Sequence, residues 1–360
     1  MGIRYIGAKT QVIGEIIKEI IKIVPPGSHV TDLMCGTCSI STALRMIGYN
    51  VTANDVMTYS YHHARQALLF TRPPSFENAR DFIDAFCPKE SKKLFPLSPY
   101  EQMIEALNRV PSEDGYFWRE FSLGGYPKNT EKPRNYFSPE NAKKIDGIRR
   151  LVRQLHGENK INGLEHSLLL HDLILAANDI ANIAGTYGHY MAKLTGRAKD
   201  KIIIKPSTLL IIDDEGKHTV LQDYAETISS KITCDLCYID PPYMKRQYAA
   251  NYHILETLAR EDEPEAIGVS GLRPWRDQYS NFCTKTRIRD SFRKIFSSMN
   301  CPHFLVSYSE DGLLSLRELE ELFSEFGNVK TMFFPHKRFK SNTSQLTPYL
   351  KEYLIQLKIR

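Results

Sequence analysis

Apolar positions fall into two rhythms along the chain. Residues 11–24 place Val12, Ile13, Ile16, Ile17, Ile20 and Ile21 at helical spacing, and Pro25-Pro26-Gly27 stops that helix. A short strand over 29–34 follows, then a glycine-containing turn and a second helix over 39–47, with Gly48 where a helix stop is expected. Residues 50–53 form a second strand that ends at Asn54-Asp55. This β-α-β opening is the unit of a parallel, doubly wound sheet, so an α/β fold is expected.

The middle of the chain differs. From residue 71 to about 201 the strand rhythm fades, and proline and charge punctuate 72–139. Two helices stand out there. One spans 139–155, with Ser138 as its N-cap and Pro139 at the first helical position, and the other is a strongly apolar run over 164–183. Strand patterns return at 202–204, 209–212, 220–221, 236–239, 304–307, 329–334 and 353–357. They alternate with helical patterns at 252–260, 287–299 and 315–326. The simplest organisation is one α/β domain, residues 1–70 plus 202–360, interrupted by a mostly helical insert over 71–201.

With 360 residues, 42% of them apolar, the chain can bury one large core or two smaller ones. No run approaches the roughly 20 uncharged apolar residues of a membrane helix, and the opening residues lack a signal-peptide pattern, so a cytoplasmic protein with no membrane partner is expected. Seven cysteines include two Cys-x-x-Cys pairs, Cys35/Cys38 and Cys234/Cys237. They touch opposite ends of the predicted strands, ~20 Å apart, which excludes a shared zinc, and no metal is expected.

The net charge of +5 neither requires nor excludes a polyanionic partner. Its distribution says more. Basic residues cluster at 128–153, 193–205, Lys245-Arg246, 285–294 and 337–340. Lys245, Arg246, Arg338 and Lys340 are candidate nucleic-acid contacts for their nearness to the motifs that follow.

Asp240-Pro241-Pro242-Tyr243 directly follows the apolar run Leu236-Cys237-Tyr238-Ile239, at the carboxyl end of a buried strand, where open α/β sheets bind ligands. The motif suits methylation of an adenine exocyclic amine, whose lone pair is delocalised into the ring. Asp240 and the Pro241 carbonyl can accept the two N–H bonds and aim the lone pair at a methyl sulfonium. Pro242 fixes the loop, and Tyr243 offers an aromatic face to a base that has left the stack. A second feature, Asp32-Leu-Met-Cys-Gly36-Thr-Cys38-Ser39, is a strand-to-helix turn in which Gly36 lets main chain approach a cofactor. A third, Asn54-Asp55, ends the second strand with a carboxylate placed to hold ribose hydroxyls.

These features together resemble the Dam-like adenine-specific DNA methyltransferases, in which the cofactor motif precedes the catalytic one and a target-recognition insert lies between. Many members belong to restriction–modification systems. Tyr5-Ile-Gly-Ala-Lys9 is similar to the family's N-terminal aromatic-x-Gly-x-Lys element, which implies that Tyr5 and Lys9 approach the cofactor. Asp32 and Gly36 fall in the glycine motif, and Asp55 is the ribose-binding acid. Asp223 lies in a segment whose acid often binds the cofactor's adenine amine, and Asp240 closes the cofactor site beside the base. The stretches 247–257, 305–312 and 338–342 also resemble one subset of these enzymes. In the insert, Arg134, Asn135 and Tyr136, running into a helix, resemble a recognition segment that enters DNA.

The resemblance implies a Rossmann-like methyltransferase sheet and S-adenosylmethionine as cofactor. It also implies double-stranded DNA as substrate and, in a restriction–modification setting, a cognate restriction endonuclease acting separately. Where the family usually has Phe and a second Gly, this chain has Met34 and Cys38. Asp at 240 favours DNA adenine over cytosine N4 enzymes, which usually carry Ser there, and over RNA-adenine or protein-glutamine enzymes, which often carry Asn. An inactive DNA-binding relative is the alternative from another class; the altered glycine motif supports it and the intact Asp-Pro-Pro-Tyr opposes it.

Overall fold

A computed structural model describes residues 12–87, 96–214, 216–337 and 349–360. They fall into two compact units. One takes the described part of Gly7–Leu68 with Asp214–Ala249 and Arg276–Arg360, and the other takes Leu69–Asp213 with Ala250–Trp275. This division runs at different positions from the one the sequence pattern gives: 202–213 and 250–275 go with the helical unit.

The first unit is built on a seven-stranded sheet. Its strands are β1 (His29–Asp32), β2 (Asn50–Asn54), β3 (His218–Leu221), β4 (Leu236–Ile239), β5 (His303–Ser309), β6 (Gly327–Lys337) and β7 (Tyr349–Ile359). Their order is β3-β2-β1-β4-β5-β7-β6. The five strands from β3 to β5 pair in parallel, and β7 runs antiparallel to both its neighbours. This is the Rossmann-like methyltransferase arrangement expected. All of β4 is buried, as the unbroken run Leu-Cys-Tyr-Ile requires of a strand covered on both faces. An aromatic layer of Phe282, Phe292, Phe296, Phe304 and Phe323 fills one side of the sheet. Arg45, fully buried, is held by both oxygens of Asp214 at 2.9 Å and by the Ala67 carbonyl at 2.8 Å.

Helices dominate the second unit, chiefly Pro99–Arg109, Pro139–Gly157, Gly163–Asp179 and His253–Arg260. Ser138 caps the second of these by accepting from the Asn141 amide. Asn162 and Glu165 form a reciprocal cap on the third. Two expected strands are corrected. Residues 202–204 and 209–212 form no strand, and at 202–204 side chains take the place of a neighbouring strand. Asn108 accepts from the Ile204 amide and donates to its carbonyl, and Asn141 accepts from the Ile202 amide. The helix expected over 164–183 ends at Asp179, and 252–260 is helical from His253. Among the described residues no helix is long and apolar enough to cross a membrane.

Candidate active site

The sheet dictates where a ligand sits. From β1 the chain winds outward through β2 to β3, and from β4 it winds the other way to β5. The carboxyl ends of β1 and β4 therefore frame the switch-point crevice of a doubly wound sheet. Asp32 is the last residue of β1 and lies opposite Tyr238, two residues before Asp240.

Asp32 is buried and accepts from the Ser41 hydroxyl at 2.6 Å. Burial, reinforced by the charges of Asp240 and Asp55, outweighs that bond and pushes its carboxyl up to about 7. Three carboxylates thus gather where β1, β2 and β4 end.

The turn after β1 is held by backbone and by two side chains. The Leu33 amide donates to the Tyr238 carbonyl and the Cys35 amide to the Asn54 carbonyl, so the turn is tied to β4 and β2. Asp55 accepts from the Gly36 amide and from the Met57 amide, each at 2.9 Å. Asp55 thus clamps the glycine turn to the start of helix Thr58–Leu68, a role its position alone did not show. Gly36 has φ +51°, the left-handed region where a side chain costs energy.

Cys38 adopts φ 60°, ψ 23°, so it keeps the backbone a glycine would take at this point. Its side chain is fully buried and its Sγ lies 3.4 Å from Cys35 Sγ. The Cys38 bond to Cys35 and burial raise the Cys35 thiol, and burial raises that of Cys38, so both stay protonated.

Sequence reasoning missed Asn54 as a positioning residue. Its side-chain amide donates to the Leu33 and Asp223 carbonyls and its oxygen accepts from the Asp223 amide, stitching β1, β2 and the segment after β3 together. A buried Asn at a parallel strand end was the available signal. Asp223 is half-buried, and its carboxylate accepts from the Tyr224 amide at 2.7 Å.

The Asp240-Pro-Pro-Tyr243 motif follows β4 directly. Asp240 is half-buried and Pro241 buried. The Tyr243 ring lies 5.6 Å from that of Tyr308 on β5, and its carbonyl accepts from the Leu313 amide. The motif is thereby braced by the loop that leaves β5. Lys245 and Arg246 are exposed just beyond it. Of the expected site residues, Asp32, Gly36, Asp55, Asp223, Asp240, Pro241, Pro242 and Tyr243 all stand at strand ends on the carboxyl side of the sheet or in the turns that leave it. Tyr5, Lys9, Arg338 and Lys340 lie outside the described residues.

The expectation for Arg134, Asn135 and Tyr136 is corrected. None presents a side chain to solvent: Arg134 is 0% exposed, Asn135 1% and Tyr136 0%. Arg134 pairs with Glu120 at 2.9 Å, and the Tyr136 hydroxyl donates to the Tyr187 carbonyl at 2.6 Å. A guanidinium buried against a carboxylate would lose that pairing if it turned outward, at a cost no exposed arginine bears.

The family model of the D12 class N6 adenine-specific DNA methyltransferases matches residues 5–322. The chain is 32% identical to the Type II methyltransferase M.FokI of Planomicrobium okeanokoites over 99% of its length, covering 52% of that protein. It is 31% identical to the modification methylase LlaI of Lactococcus lactis subsp. lactis over 99% of its length, covering 55%. Identity to the Type II methyltransferase M.NlaIII of Neisseria lactamica is 27% over 95% of the chain and 93% of that protein. The chain thus spans about half the length of the first two relatives and nearly all of the third.

Proposed function

The chain belongs to the D12 class of N6 adenine-specific DNA methyltransferases, and from that premise we propose that it transfers a methyl group from S-adenosylmethionine to the N6 amine of adenine at a specific site in double-stranded DNA. The observation that carries this reading is Asp240-Pro-Pro-Tyr at the end of β4, next to the Asp32 turn at the end of β1. Relatives named modification methylases support a role as the modification enzyme of a restriction–modification system, alongside a separately acting endonuclease and in the cytoplasm.

The residues present fit S-adenosylmethionine, which carries a sulfonium and an ammonium. Burial, reinforced by the like charges of Asp240 and Asp55, raises the Asp32 carboxyl to about 7, and a cation beside it would relieve both effects. Asp32, the Gly36 turn, Asp55 and Asp223 would hold the cofactor, with Tyr5 and Lys9 expected to join them. Bound there, S-adenosylmethionine supplies an electrophilic methyl group. Asp240 and the Pro241 carbonyl accept the two N6 hydrogens of adenine and aim the nitrogen lone pair. Tyr243, braced by Tyr308, stacks on the extruded base. Once the nitrogen has gained a methyl group, its surplus proton leaves along the bond to the Asp240 carboxylate.

The test is expression in a host lacking adenine methylation, followed by sequencing of plasmid DNA with modified-base detection. N6-methyladenine at one short motif is expected. N4-methylcytosine instead, or unmodified plasmid from cells whose purified protein binds S-adenosylmethionine, overturns the reading.

A further inference from the structure

The buried segment Arg134-Asn135-Tyr136 does something the sequence does not show: it ties three surface loops of the helical unit to one point. Arg134 donates to the Glu120 carboxylate and carbonyl, at 2.9 and 3.2 Å, and to the carbonyls of Ala266 and Gly268, at 3.1 and 3.0 Å. The other side of the Glu120 carboxylate receives the Lys128 amide. Asn135 donates to the carbonyls of Met191 and Ala192. The Tyr136 hydroxyl donates to Tyr187, and its carbonyl accepts from the Asn182 amide.

The loops so held are 122–130, 187–193 and 266–271. The last is a tight hairpin: Ile267 and Leu272 exchange backbone bonds of 2.9 and 2.8 Å, and the Gly271 amide closes the turn on Gly268. At Gly271, φ is +65° and a Cβ would come within 2.8 Å of Arg134 Cδ and Nε, so the hairpin is fitted directly onto the guanidinium. Asn129 donates to Glu265 at 2.9 Å, joining the first loop to the hairpin. His253 packs under the same segment. Its Nε2 donates to the Tyr187 carbonyl at 3.1 Å, and burial pushes its pKa down to about 3.

At the loop tips the chain exposes side chains that a soluble surface rarely spends there. Tyr126 is 83% exposed, Val269 71%, and Met191 39%. Lys128, Lys132 and Lys193 are exposed in the same loops or beside them, as are the acids Glu131, Glu263 and Glu265.

We infer that these three tips form the surface that reads duplex DNA, with Arg134-Asn135-Tyr136 as the buried positioning residues that set their register. The inference rests on the DNA methyltransferase reading. Apolar tips meet thymine methyls or wedge between base steps, while lysines take phosphates. The membership of the chain in a DNA methyltransferase family, with Lys128, Lys132 and Lys193 placed beside the tips, favours this polyanion over a protein partner.

The test uses the full chain carrying Tyr126→Ser, Met191→Ser and Val269→Ser together, all at exposed positions. Methylation of randomised duplexes, KM for DNA, S-adenosylmethionine affinity and thermal stability are measured. Preference at one or more base pairs should relax, or KM should rise, by roughly tenfold, with cofactor affinity and stability unchanged. Arg134→Lys should relax preference at the same base pairs, a readout that loss of packing alone does not move; if it fails to fold, the tip variant decides. A wild type that methylates adenine and a tip variant identical to it overturn the inference alone, and leave the patch to a protein partner. A wild type that binds cofactor yet methylates no duplex overturns the underlying reading, and the inference with it.

Discussion

Each unit buries a cluster of polar groups, and the two clusters are built on opposite principles. At the strand ends of the sheet, the groups acting on Asp32 are its own burial, one hydroxyl, and the like charges of Asp240 and Asp55. In the helical unit, Arg134 meets a carboxylate and three carbonyls, all from the chain itself. The first cluster brings three carboxylates of like charge together, and the second sets a cation against a carboxylate. Crowded like charges are tolerated where a ligand is to relieve them, whereas a buried pair of opposite charges serves the architecture. Variants in the two clusters should therefore separate: those at the strand ends weaken catalysis or cofactor binding without loss of stability, and those at the hub lose stability and keep the cofactor.

The largest effect expected is that of Asp240→Ala. Loss of the group that accepts the amine hydrogens should lower methyl transfer by ~10²–10³-fold or more, with thermal stability little changed because Asp240 is only half-buried. Tritiated methyl transfer decides it. Residual activity within about tenfold of wild type, ~1.4 kcal/mol of barrier, would remove Asp240 from the chemistry.

That prediction draws on what the sequence made legible. The continuous apolar run Leu236-Cys-Tyr-Ile located β4, because a fully buried parallel strand has no polar face to confuse the pattern, and the turns at Pro25-Pro26-Gly27, Gly36 and Gly48 set off β1 and β2. The catalytic motif was legible for the same reason as β4, lying at the end of that run. Arg134 was not. Its partners Glu120, Ala266 and Gly268 lie 14, 132 and 134 residues away, and no local pattern marks an arginine as buried. Residues 202–204 were misread as a strand because alternation reports which faces are buried, not whether the hydrogen-bonding neighbour is a strand or the amides of Asn108 and Asn141.

Next in size is Arg134→Met, which leaves the Glu120 carboxylate buried without its partner. Breaking such a pair costs ~3–5 kcal/mol. At ~2–4 °C per kcal/mol, melting should fall by roughly 6–20 °C. Intrinsic affinity for S-adenosylmethionine, measured below the transition, should hold. A variant that melts with the wild type but loses the cofactor would erase the contrast between the clusters.

Asp32→Asn probes the other principle. In the folded chain Asp32 keeps its proton to about pH 7, against 3.8 for an ordinary aspartate. Between those values the folded chain binds more protons than the unfolded one, so this group's contribution is fully present below pH 3.8 and is lost as pH rises through 7. Asparagine has no such titration and can still accept from Ser41. The variant should gain on the wild type from pH 5 to pH 8, by an amount on the order of a few kcal/mol, while binding S-adenosylmethionine more weakly. Thermal unfolding at the two pH values measures it. A stability difference that does not change with pH would mean that Asp32 is ionised in the folded chain.

The smallest effect tests how the glycine motif survives with a cysteine in it. Cys38 holds φ 60°, ψ 23°, a conformation that costs a non-glycine residue ~1–2 kcal/mol, so Cys38→Gly relieves strain without rebuilding the turn. Against this, the mutation removes a fully buried side chain whose sulfur lies 3.4 Å from Cys35, and it frees backbone in the unfolded state. The opposing terms are of similar size, so stability should shift by no more than about 1 kcal/mol either way. The cofactor is the sharper readout. The turn is fixed from outside Cys38, by Asp55 on the Gly36 amide and by Asn54 on the Leu33 carbonyl. Calorimetric titration with S-adenosylmethionine should therefore show affinity unchanged or tighter. A clear loss of affinity would show that the Cys35–Cys38 contact, not the carboxylate clamp, holds the turn in shape.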